Sequence, residues 1–63
     1  MNEYQSRVEV EVEELDVKIA KLVDFMHCDI YAKLPAVEQG LVMVQLEFMQ
    51  GYFRTLTRRI ELF

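Results

Sequence analysis

Two sets of residues in this chain have the types and the spacing to hold a ligand. Tyr4, Arg7, Glu11, Glu14, Lys18, Lys21 and Phe25 step by three and four through the first half. Glu38, Gln45, Tyr52 and Arg59 recur every seven residues in the second. At helical spacing each set lies along one line of a helix. Tyr rings can stack on a flat ring, Gln can read the edge of a base, and Arg or Lys can hold phosphate. If the two rows meet, Tyr4, Arg7, Glu11, Lys18, Gln45, Tyr52 and Arg59 are the candidate ligand-binding residues. The same residues also suit ordinary interhelical pairing, such as Glu11 with Arg59 or Lys18 with a carboxylate, and the pattern leaves both readings open.

Other chemistries fit poorly. His27-Cys28-Asp29 contains the single His and the single Cys, and adjacent ligands do not match a zinc spacing. A Cys/His nucleophile pair lacks an orienting group, and there is no glycine-rich phosphate loop or Ser nucleophile motif. Glu9, Glu13, Glu14 and Asp16 sit where a solvated face is expected, and Glu11 as a general base would need a pocket around it. We expect no enzyme activity, no metal and no cofactor.

The elements that must position these rows are two helices. Val8, Val12, Leu15, Ile19, Leu22 and Met26 form a heptad seam, predicting a first helix over about residues 3–27. Within it, Arg7 to Glu13 alternates with period two, which is a strand signal, but the longer seam outweighs it. Glu3 with Arg7 and Glu14 with Lys18 are correctly oriented i,i+4 pairs. Val10 and Val17 form an extra apolar line. A turn is expected over about 28–34, with Asp29 as a cap and Pro35 suited to the first turn of the next helix.

The second helix, about residues 35–62, carries the seam Val42, Leu46, Met49, Phe53, Leu56, Ile60 and Phe63. Arg54, Arg58 and Arg59 near its end complement the helix dipole. Gly40 and Gly51 inside it each cost about 1 kcal/mol relative to Ala, tolerated or serving a close approach. The fold class is therefore all-α: one domain, residues 1–63, folded as an antiparallel two-helix hairpin. Facing positions should sum to about 63, placing Lys18 near Gln45, Glu11 near Tyr52 and Tyr4 near Arg59.

Val37, Leu41, Val44 and Phe48 give the second helix more apolar lines than one partner covers. A chain of 63 residues, 52% hydrophobic with one cysteine, has neither the size nor a disulfide to finish its core alone. Hairpins should thus assemble into a homo-oligomeric helical bundle, a dimeric four-helix bundle at minimum. Glu47, Arg54 and Arg58-Arg59 interrupt the apolar residues, so no membrane partner is expected. A net charge of −4 without a long basic stripe argues against polymeric nucleic acid. The chain opens Met1-Asn2-Glu3-Tyr4 without a basic-then-apolar leader, so a cytoplasmic location is expected.

The spaced sets Tyr4, Arg7-Val8, Glu11, Leu15, Lys18, Leu22, Phe25 and Leu34, Glu38-Gln39, Leu41-Val42, Gln45, Met49, Tyr52, Leu56, Arg59-Ile60 resemble a family of very short phage proteins related to a small crAss-like phage protein. More distantly, the layout is similar to the helical hairpin of phage anti-CBASS and anti-Thoeris sponges. Where those sponges begin their second helix with Arg and a large aromatic, this chain has Glu38-Gln39. The resemblance implies an anti-defence protein that oligomerises and sequesters a cyclic-nucleotide-type immune signal without cleaving it. The alternative is a non-enzymatic helical oligomer that binds a host protein, through the acidic first helix, or serves a structural role.

Overall fold

The computed structural model describes residues 2–63. Three helices follow one another: α1 (Glu3–Met26), a single turn α2 (Asp29–Ala32) and α3 (Ala36–Glu61). Helices α1 and α3 pack antiparallel into a slender hairpin, 46 × 15 × 13 Å. Among the described residues there is no strand.

Helix α1 starts at a capping box. The Gln5 amide N–H donates to Asn2 Oδ1 at 2.8 Å, and the Asn2 N–H reaches back to Gln5 Oε1 at 3.4 Å. Glu3 and Arg7 pair at 2.8 Å on the surface, worth little in solvent. Among the described residues Glu14 and Lys18, also four apart, form no ion pair. The alternating run Arg7 to Glu13 is helical throughout, because the seam continuing to Met26 buries only one face. The cost appears on the back of the helix, where Val10 and Val17 are each about half exposed.

The bend is tighter than the sequence pattern alone conveys. Asp29 is the first residue of α2, not its cap; Cys28 holds the N-cap position with extended backbone and no side-chain bond. Pro35 likewise precedes α3 as its N-cap, and its carbonyl accepts the Gln39 N–H at 3.0 Å. The bend is fastened by Tyr31 and Gln39. Tyr31 Oη donates to the Gln39 carbonyl at 3.2 Å, while Gln39 Nε2 donates to the carbonyls of Tyr31 at 2.9 Å and Ala32 at 3.3 Å. That reciprocal bonding fixes how α3 leaves the turn.

The core lies toward the open end of the hairpin. Val8, Leu15 and Leu56 are 3%, 6% and 1% exposed, and Val12, Ile19, Met49, Phe53 and Ile60 pack around them. These are seam residues from both helices. At the tips, Arg59 Nη2 donates to Tyr4 Oη, its guanidinium lies 5.6 Å from the Tyr4 ring centre, and Tyr4 meets Phe63 at 6.1 Å. Arg58 and Arg59 occupy the last turn of α3, where cations oppose the helix dipole. No described helix is long and apolar enough to cross a membrane.

Candidate functional site

The half of the hairpin nearer the bend is less closed. There the two helices flank an open groove of about 350 Å³, lined by Lys18, Lys21, Leu22 and Phe25 of α1 and by Gln45 and Met49 of α3. Its volume falls within the roughly 300–1,000 Å³ typical of small-molecule sites.

Each wall has a local reason. Lys18, Lys21 and Phe25 follow one another by three and four, so they line one edge of α1 beside its seam. Phe25 closes the bend end of the groove. Its ring is braced edge-on by Tyr31 at 5.8 Å, and Tyr31 is itself held by Gln39. The turn thus positions a groove residue as well as reversing the chain. Across from it, Met49 belongs to the α3 seam and Gln45 sits one turn earlier on its flank.

The polar groups here lack strong partners. Among the described residues Lys18 and Lys21 form no ion pair, and the Gln45 amide finds only the Met49 sulfur at 3.9 Å. Two ammonium groups, one amide, one aromatic ring and a thioether therefore face one shallow space. An anion with a flat or apolar portion matches that set: ammonium groups hold the charge, Phe25 and Met49 hold the ring. The lining contains no carboxylate, His or Cys.

The seven candidate residues read from the sequence are not gathered in one place. Lys18 and Gln45 meet in the groove, as the facing rule required. Tyr4 and Arg59 meet as well, but at the opposite tip, where they bond each other. Arg7 is taken up by Glu3. Glu11 and Tyr52 form no hydrogen bond with each other, and Tyr52 is 46% exposed on the row between Gln45 and Arg59. The physical reason is length. A row with one member every seven residues advances about 10 Å per member, so it runs along a hairpin instead of converging.

Lys21, Phe25, Leu22 and Met49 complete the groove and lie outside the seven residues that the sequence pattern suggests. Lys21 and Phe25 did stand on the same row as Lys18, which was the available signal. Leu22 and Met49 read as seam and nothing more. His27 is also accounted for: its Nδ1 donates to the Val23 carbonyl at 2.8 Å, a local helix-end bond. Among the described residues no three His, Cys, Asp or Glu side chains cluster as a metal site would need.

Comparison with known proteins adds a family and a relative. A protein-family model described as Sequestin matches residues 2–62. The chain is 37% identical over 60 residues to a 7.5 kDa protein from the denB-rIIB intergenic region of Enterobacteria phage T4, spanning 95% of this chain and 94% of that one. No solved structure matches at a significant level.

Proposed function

The chain belongs to the Sequestin family, and from that premise we propose that it is a phage-encoded anti-defence protein that binds a cyclic-nucleotide-type signal and holds it without cleaving it. The observation that carries this reading is the groove, where Lys18, Lys21 and Gln45 stand without strong partners beside Phe25 and Met49. Its chemistry fits a phosphate attached to a flat base. The family name supports sequestration as the mode of action, and the T4 relative supports a phage origin.

The mechanism is mass action. A protein made in excess over the signal, and binding it tightly, lowers the free signal below what the host receptor needs. The phosphate rests on the Lys18 and Lys21 ammonium groups, the base lies against Phe25 and Met49, and Gln45 bonds the base edge. Tyr52, one heptad further along the row, extends the site for a second nucleotide unit. In this reading the ligand is held by charge, hydrogen-bond and stacking contacts alone and leaves the site unaltered. The protein acts as a homo-oligomer in the host cytoplasm.

Native mass spectrometry with a panel of cyclic di- and trinucleotides and cyclic ADP-ribose isomers tests this. The expected result is a stoichiometric complex with one of them, and recovery of that ligand unaltered after heating. Recovery of a hydrolysed product would make the protein an enzyme, and failure of the whole panel would remove the sequestering reading.

A further inference from the structure

Gln39 is a polar residue at an apolar position. Stepping back by seven from Ile60 through Phe53 and Leu46 brings the α3 seam to Gln39, where a Leu or Met would suit helix packing better. A lone polar residue on such a seam costs stability and fixes geometry. The geometry it fixes here is that of the bend. In a helix the Cα–Cβ bond tilts toward the N-terminus, so a long side chain in the first turn of α3 lies back over the segment before it. The Gln39 amide has two N–H groups, and two carbonyls at the end of the single-turn α2 receive them, Tyr31 at 2.9 Å and Ala32 at 3.3 Å. The Tyr31 hydroxyl returns a bond to the Gln39 carbonyl at 3.2 Å.

This clasp stands where the rest of the packing is weakest. The core cluster runs out at Ile19 and Met49, and beyond it the seam residues Leu22, Met26, Val42 and Leu46 are only half-buried. Near the bend, then, the apolar seam does less to fix the groove walls, and the turn does more. Tyr31 carries the constraint to the groove. Its ring meets Phe25 edge-on, at 5.8 Å and 76° between planes, and Phe25 lines the groove. Neither Tyr31 nor Gln39 lines it.

We propose that Tyr31 and Gln39 are positioning residues for ligand binding. They hold the Phe25 ring as a fixed end wall, so they set the affinity for anions that carry a flat ring without touching the anion. Lys18 and Lys21 lie one and two turns back along α1 and hold the charged part independently of the clasp. The clasp therefore acts on one part of the ligand only. An aromatic wall already in place binds a base better than one that must be ordered on binding. The role in binding rests on the sequestering reading above; the clasp itself rests on the geometry of the bend.

NMR titration with two probes separates positioning from mere structure. Adenosine 5′-monophosphate has a phosphate and a flat base; ribose 5-phosphate has the phosphate alone. Gln39→Met puts an apolar residue of similar length on the seam, so it should melt no earlier than wild type. Its affinity for adenosine 5′-monophosphate should nevertheless fall about fivefold, while that for ribose 5-phosphate stays the same. Phe25→Leu should lose at least as much, and adding Gln39→Met to it should remove no more. Equal nucleotide affinity in Gln39→Met and wild type overturns the proposal. So does a parallel loss of both probes, or a loss that adds to that of Phe25→Leu. Should Gln39→Met melt early, Tyr31→Phe, which removes only the hydroxyl bond, takes its place in the same titrations. If wild type binds neither probe nor any member of the cyclic-nucleotide panel, the sequestering reading is lost and the clasp is judged in the free protein. There the NOEs between the Phe25 and Tyr31 rings should be strong in wild type and weaken in Gln39→Met; unchanged NOEs overturn the proposal.

Discussion

The two halves of the hairpin use the same seams to opposite ends. Toward the open tips, Val8, Leu15 and Leu56 are buried and Arg59 ties Tyr4 to α3. Toward the bend, the walls of the groove stay apart, and Lys18, Lys21 and Gln45 are left without strong partners. Both halves have a heptad seam, so hydrophobic pattern does not separate them. The difference lies in what flanks the seam. At the tips a long cation and a phenol reach each other across the helices; near the bend two cations on α1 meet only an amide and a thioether on α3. A polar row that satisfies itself makes structure, and one that does not leaves room for a ligand.

The sharpest way to break this contrast is at Leu56, 1% exposed and central to the packed half. Leu56→Ala should cost about 2–5 kcal/mol. A lone core of this size supplies only about 3–5 kcal/mol, so the variant should lose its cooperative thermal transition. If instead the midpoint barely moves, the packed half is not where the stability resides. Arg59→Ala is gentler. It removes one hydrogen bond and a cation–ring contact, together about 1–2 kcal/mol. Its thermal midpoint should fall while nucleotide affinity stays as in the wild type. A variant that keeps its stability but loses affinity would return Arg59 to the binding site.

Much of this architecture was legible in the residues. The seams from Val8 to Met26 and from Val42 to Ile60 specified two helices, and the rule that facing positions sum to about 63 brought Lys18 to Gln45 and Tyr4 to Arg59. What stayed hidden was whether a facing pair is used up or left open. Arg59 reaches the Tyr4 hydroxyl because both sit at helix ends with room to turn, which spacing does not encode. Phe25 stands on the same row as Lys18, but its bracing depends on Tyr31 and on the Gln39 side chain returning across the turn, contacts with no periodic signature. The cap at the bend lies one residue before the one its type suggests, since Asp29 is a common cap type and Cys28 is not. At the other extreme, the alternation from Arg7 to Glu13 was a local pattern that the longer seam overrode.

The groove is tested most directly by calorimetric titration of the cyclic-nucleotide panel into the wild type and the Lys18→Ala/Lys21→Ala double variant. Hydrogen bonds to charged groups are worth about 1.5–3 kcal/mol each, so affinity should fall at least tenfold. Both lysines are exposed and unpaired in the free protein, so the thermal midpoint without ligand should be unchanged. Equal affinity in the two proteins would mean that the groove is not where the nucleotide binds.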